Sequence, residues 1–281
     1  MAVIALVSPG NSPGVTTTAF ALTLAWPQPV LLAECSPAGG HLLAGYFQGR
    51  LSALDRGLWQ LALATRHGQQ AALADLGNQI VALDETGDRR LLPGLRDPFW
   101  PIDEAMWEQI GDLFAALPGD VIADIGAVHV DLPFPLVRRA DLLLMVMRPT
   151  FEQIAAAKPR LTKLREALAD TLPIGLCLVG DGEYDPRDIA SERAGLGPFA
   201  TVIRLPADRK SAAVLVHGSK PGRGFTTAPL LREAALAAKG MQRSIIASVQ
   251  VPQHGAQRGP GRLDKPPRQS PTQNMIAGGA R

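Results

Sequence analysis

Lysine is missing from the first half of the chain: of 281 residues, the first lysine is Lys158. Chemistry that needs a lysine in an amino-terminal loop must therefore draw its positive charge from elsewhere. Cysteine is scarce too. Cys35 and Cys177 lie far apart and match no metal-ligand spacing, so a reduced, cytosolic protein is the simplest expectation. His41, His67, His129, His217 and His254 are scattered without paired carboxylates or cysteines, which argues against a metal centre or a catalytic triad. No uninterrupted apolar run reaches the roughly 18 residues that span a bilayer. The expected protein is soluble, cytoplasmic unless something holds it to a membrane surface. The opening Met-Ala-Val-Ile-Ala-Leu-Val has no basic region before it and runs at once into Pro9-Gly10, so it reads as a strand and not as a signal peptide. A formal net charge of +2 is too small to imply nucleic-acid binding by the whole chain.

What is present is an alternation of short apolar runs and helical patterns. Residues 2–8, Val30 to Cys35, Val121 to Ile125, Leu142 to Met147, Ile174 to Val179 and Thr201 to Leu205 read as strands, with Ile80 to Leu83 and Arg90 to Leu95 as shorter ones. Helices are expected over Thr16 to Trp26, Gly39 to Phe47, Leu51 to Arg66, Asp103 to Leu117, Ala207 to Val216 and Pro229 to about Val249. Another is expected over Phe151 to Ala169, with a break or kink at Pro159. The strands are apolar throughout instead of alternating, the mark of a sheet buried on both faces. The expected fold class is α/β: a doubly wound, mostly parallel sheet with helices on both faces. Hydrophobic residues make up 46% of the chain, enough for one large domain over residues 1–249. Residues 250–281 hold five prolines, five glycines and five basic residues against Asp264. This composition reads as a disordered basic tail.

Strand one runs into Gly10-Asn11-Ser12-Pro13-Gly14-Val15-Thr16-Thr17 and then a helix. A glycine turn there lets backbone N–H groups cradle phosphates at a helix N-terminus. In a phosphate loop the last glycine is followed by a lysine and a magnesium-binding Ser/Thr. With Gly14 as that glycine, Val15 stands at the lysine position, Thr16 at the magnesium position, and Pro9 at the first glycine. Asp124 ends a strand, where it either serves a metal or caps a turn. Glu34 ends another strand, as a site group or a solvated loop residue, and Asp120 reads as the start of its strand.

These elements, in order, resemble the MinD/ParA group of P-loop ATPases, which includes the CpaE/TadZ-like pilus-positioning proteins. The resemblance covers roughly residues 1–240. Gly10 to Thr17 resembles the deviant Walker A Lys-Gly-Gly-x-Gly-Lys-Thr-Thr with both lysines replaced, and Gly10 stands where the cross-dimer lysine would be. Glu34-Cys-Ser36-Pro-Ala-Gly39 resembles Asp-x-Asp-Pro-x-Gly, with Ser36 for the second aspartate. Asp120-Val-Ile-Ala-Asp124 resembles Walker B, Ala140-Asp141-Leu-Leu-Leu-Met-Val the next strand, and Leu91-Leu-Pro-Gly94 a further element. Gly180 stands near the usual adenine-reading asparagine, and Leu205-Pro206-Ala-Asp208 resembles the base-side loop.

The resemblance implies that ATP is held by residues 10–17 with Pro206 and Asp208, and Mg²⁺ by Thr16 and Asp124. It implies a positioning or regulatory protein for a partition, pilus or secretion assembly, with a homodimer and an unidentified protein as partners. With both lysines and one carboxylate gone, hydrolysis is expected to be very slow or absent. Two alternatives stay open: an active ATPase with atypical groups such as an arginine, and a nucleotide-independent scaffold in which Val15 fills the phosphate space. An apolar stripe at Leu230, Ala234, Ala238, Met241, Ile245 and Val249 is either a packed face or a membrane contact. The basic tail offers weak DNA contact, so residues 229–281 are the region for DNA or membrane contacts.

Overall fold

A strand whose every side chain is apolar has no solvent face, so it needs packed layers on both sides. A computed structural model describes residues 1–10, 14–51, 55–168, 171–191 and 195–250, with side chains to residue 243 apart from that of residue 190. Strand β1 (Val3–Ser8) is buried along its whole length. Val3, Ala5 and Val7 enter one hydrophobic cluster while Ile4 and Leu6 enter another on the opposite face. β2 (Val30–Glu34), β5 (Asp120–Ala127), β6 (Leu142–Met147) and β7 (Ile174–Val179) are buried on both faces in the same way. β3 (Val81–Ala82), β4 (Arg89–Leu92) and β8 (Val202–Leu205) complete an eight-stranded sheet in the order β3-β4-β2-β5-β1-β6-β7-β8. Pairing is parallel throughout except between β3 and β4.

Helix α1 (Val15–Ala25) packs on one face, and α2 (Leu58–Thr65), α3 (Gln69–Gln79), α4 (Glu104–Ala116), α5 (Phe134–Val137) and α6 (Phe151–Leu168) on the other. α7 (Pro186–Ala190) is a short turn of helix after β7; α8 (Arg209–His217) and α9 (Pro229–Gln250) share the face of α1. The chain leaves β1 toward β2 on one side and later builds β6, β7 and β8 on the other. β1 is thus the point where the order reverses, and crevices open there at the carboxyl ends of the strands.

Several expectations need correction. Gly39 to Phe47 is a chain of turns, not a helix. Its backbone is committed elsewhere: the Gly40 N–H donates to the Leu95 carbonyl, and Gly45 lies against the Val216 carbonyl. The helix expected from Leu51 begins only at Leu58, because Gly57 (φ +130°) packs against the Pro93 carbonyl before it; residues 52–54 lie outside the described residues. No break occurs at Pro159. α6 runs through it, held by Gln153, Ala157, Leu161, Leu164 and Leu168 on one buried face. α3, α5 and α7 were not anticipated. Of the region read as a tail, residues 250–281, Gln250 is the last residue of α9 and residues 251–281 lie outside the described residues. Among the described residues, no helix is long and apolar enough to cross a membrane.

The stripe on α9 is covered as far as it is described. Leu230, Ala234, Ala238 and Met241 are buried in the cluster that also contains Ala19, Phe20 and Leu22 of α1. Those four side chains are therefore not available to a membrane. At the amino edge of the sheet, Asp120 does begin its strand, and it is also an anchor. Its carboxylate accepts from the Ala2 N–H and the Trp26 indole N–H, each at 2.7 Å.

Candidate functional site

Gly14 is the pivot of the first crevice. It takes the left-handed conformation (φ +99°, ψ 36°) as the N-cap of α1 and provides no side-chain cap. The first-turn N–H groups of α1 have no intrahelical acceptor, and this turn faces a cleft of about 620 Å³. The floor and walls come from the carboxyl ends of the strands: Ser8, Glu34 and Ser36, Asp124 and Gly126, Arg148, and Val179 to Asp181. Pro206 to Arg209 and Leu230 close the far side.

Thr16 and Asp124 meet across the crevice. The Thr16 hydroxyl donates to Asp124 Oδ2 at 2.5 Å, and the Gly126 N–H donates to Oδ1 at 3.1 Å. Burial is the largest influence on Asp124 and pushes its pKa up to about 7; the nearby Glu34 charge adds to this, while the two hydrogen bonds oppose it. A divalent cation would favour the ionised form. The oxygens of a hydroxyl and a carboxylate suit Mg²⁺, which takes few protein ligands and shares the rest with phosphates and water. Among the described residues no group of three or more His, Cys, Asp or Glu could hold a metal, so the residues present fit a phosphate-bound Mg²⁺ and not a self-sufficient metal cage.

Val15 is 6% exposed, belongs to the buried cluster that also holds Ile4, Leu6 and Phe20, and forms part of the cleft lining. It does not fill the cleft, which stays open beside it. Thr17 also lines the cleft. Gly10 adopts φ +149° beneath the Arg160 guanidinium, while Asn11, Ser12 and Pro13 lie outside the described residues.

Glu34 is not a solvated loop residue. It is 2% exposed. Its Oε1 accepts from the N–H groups of His41 (2.6 Å) and Leu42 (3.0 Å), and its Oε2 accepts from Gly94 N–H (3.2 Å). Burial raises its pKa despite these bonds. The Leu91-Leu-Pro-Gly94 element owes its glycine to this packing: a Cβ on Gly94 would lie 2.8 Å from the Gly40 Cα and 2.9 Å from the Glu34 Cβ. Ser36 accepts from its own loop at Ala38 N–H (3.3 Å) and lies against Gly126.

On the far side, the Asp208 carboxylate caps α8, accepting from the Ser211 N–H (3.1 Å) and hydroxyl (2.6 Å). The Ser211 hydroxyl bond is the main cause of its lowered pKa. Gly180 N–H donates to the Leu205 carbonyl at 2.7 Å, tying the loops after β7 and β8 together. Pro206 sits between them on the cleft wall. Arg148, Arg209 and His41 also line the cleft and were not singled out from the sequence. Arg148 had the visible signal of a cation directly after an apolar strand.

The fold has counterparts among solved structures. A ParA family ATPase from Chlorobium tepidum TLS superposes with a TM-score of 0.65 at 17% identity, covering 85% of this chain and 97% of that one. The chain has the ParA/MinD fold. MinD from Pyrococcus horikoshii OT3, complexed with Mg-ADP, gives 0.61 at 17% identity over 86% of this chain and 98% of that one. The Cyanothece McdA(D38A)–ATP complex gives 0.59 at 17% over 85% and 96%. No protein-family model and no curated protein matches the chain by sequence. Its eight-stranded sheet is the doubly wound, mostly parallel sheet expected from the strand pattern.

Proposed function

We propose that this chain binds ATP in the cleft at the carboxyl edge of its sheet, hydrolyses it very slowly or not at all, and acts as a positioning or regulatory protein for a partition, pilus or secretion assembly. The observation that carries the reading is the meeting of the uncapped first turn of α1 with the Thr16–Asp124 pair at an open cleft, beside a valine instead of a lysine. The N–H groups of the turn would bind phosphate oxygens. Thr16 and Asp124 would hold Mg²⁺, which neutralises phosphate charge when bound. Pro206 and Asp208, which caps α8, would border the base. The Mg-ADP and ATP complexes of the structural neighbours support a nucleotide over other anions.

Slow hydrolysis follows from two losses. Val15 brings no charge to the transferring phosphoryl group and Ser36 no carboxylate to attacking water. Removing one such electrostatic contact typically costs about 3 kcal/mol in the transition state. A homodimer fits the fold; Gly10 stands in place of a cross-dimer lysine, so the residues present do not imply that its formation depends on ATP. A protein partner is part of the reading, as in the Aquifex aeolicus MinC:MinD complex among the neighbours.

Calorimetry with ATP and ADP, with and without Mg²⁺, tests the proposal, alongside turnover of ATP. Binding with negligible turnover supports it. Absence of binding, with no rise in melting temperature, would leave the nucleotide-independent scaffold. Turnover at the rate of ordinary members of the fold, abolished by Thr16→Ala or Asp124→Ala, would establish an active ATPase instead.

A further inference from the structure

With Val15 buried in the apolar layer, the phosphate end of the cleft has no lysine. Three arginines lie near enough to consider. Arg160 is committed: its Nε and Nη1 donate to the carbonyls of Val128 (3.2 Å) and Ala156 (2.9 Å). Its Nη2 lies 4.0 Å from where a Cβ on Gly10 would stand. It does not line the cleft. Arg209 lines the cleft but begins α8, after β8, which is three strands away from β1. At about 4.8 Å per strand this is roughly 14 Å across the sheet.

Arg148 is placed differently. β6 is the direct neighbour of β1, with Val7 opposite Met145, so Arg148 leaves the sheet beside the chain entering the Gly10–Thr16 loop. Its backbone is fixed on both sides. Met147 is fully buried and pairs with Leu178; Pro149 is buried, and its carbonyl accepts from Tyr184 N–H. The side chain lines the cleft and is exposed. Among the described residues it makes no hydrogen bond and no ion pair, although the acidic Asp181 lines the same cleft. A guanidinium held by a rigid strand end, open to an anion and left unpaired by its neighbours, is suited to bidentate phosphate binding.

We propose that Arg148 supplies, from the end of β6, the cationic contact to the phosphates that Val15 cannot supply from the loop. This rests on the nucleotide reading of the cleft. The ligand class is a nucleoside di- or triphosphate, and the contact is to its phosphates, not to its base.

The test measures binding of ATP, adenosine and inorganic pyrophosphate to the full chain, to Arg148→Ala and Arg148→Lys, and to Arg138→Ala, which removes the same charge at the amino end of β6. Losing one charge-assisted contact should weaken ATP by about ten- to a hundredfold in Arg148→Ala. Adenosine should change less than about twofold, Arg148→Lys should recover part of the loss, and Arg138→Ala should bind as wild type. Unchanged melting temperatures without ligand would show that the variants are folded. If wild type and Arg148→Ala bind ATP equally, the role of Arg148 is refuted while the nucleotide reading stands. If pyrophosphate binds through Arg148 but ATP does not bind, the phosphate contact stands and the nucleotide reading falls. If neither ligand binds wild type, both fall.

Discussion

Replacing Glu34 by alanine should be among the most damaging single changes in the protein, although Glu34 is a charged residue at the end of a strand. Its carboxylate accepts three backbone N–H groups, from His41, Leu42 and Gly94. Leu42 and Gly94 are buried, whereas His41 is exposed and can turn to water. Truncation leaves two buried donors unpaired at about 1–3 kcal/mol each. Part of this is offset, because the buried carboxylate itself is costly, as its raised pKa shows. The net loss should be about 3 kcal/mol, which for a domain of this size lowers the melting temperature by roughly 6–12 °C. Urea unfolding followed by tryptophan fluorescence would measure it, with an unchanged denaturant slope confirming that only stability moved. Native-state hydrogen exchange should show the Leu42 and Gly94 amides losing protection together. A variant within about 0.5 kcal/mol of wild type, with both amides still protected, would refute the reasoning.

Asp124 should make the ligand-free protein less stable as pH rises from about 4 to 7. Its folded pKa of about 7 lies above its ordinary value of 3.8, so the folded state holds the proton through that window, and the displacement corresponds to at most roughly 4 kcal/mol. Asp124→Asn should flatten this slope in urea titrations across pH, and an unchanged slope would contradict the assignment. Asp120→Ala should cost about 2–4 kcal/mol by orphaning the Trp26 indole N–H and the Ala2 N–H, with altered Trp26 fluorescence. Ala234→Asp places an unpaired charge between α9 and α1 and should unfold a large fraction of the protein at 37 °C, read by circular dichroism. Folded Ala234→Asp with wild-type stability would show that α9 is not packed there.

Elements were most legible where burial was complete. β6 and β7 match their expected bounds, Leu142–Met147 and Ile174–Val179, because a six-residue apolar run is too short for a typical helix and suits a strand buried between two layers. The segment from Gly39 to Phe47 misled for the opposite reason. Its helical spacing was real, but contacts with Glu34, Leu95 and Val216 outweigh a preference worth tenths of a kcal/mol per residue. α9 carried an ambiguous stripe, since an amphipathic face is the same in sequence whether it meets a sheet or a lipid surface.

Gly14, Thr16 and Asp124 could be picked out along the chain because turn chemistry and strand ends are local properties, and parallel strands bring their carboxyl ends to one edge. The absence of lysine beside Gly14 was equally plain from composition. The neighbours of each strand were not. Strand order is set by which buried faces pack together, so only the folded chain could put Arg148 beside β1 and Arg209 three strands away. It also turned Glu34 from a candidate surface carboxylate into a buried clamp, since that role requires Gly40 and Gly94 to approach within contact across two loops.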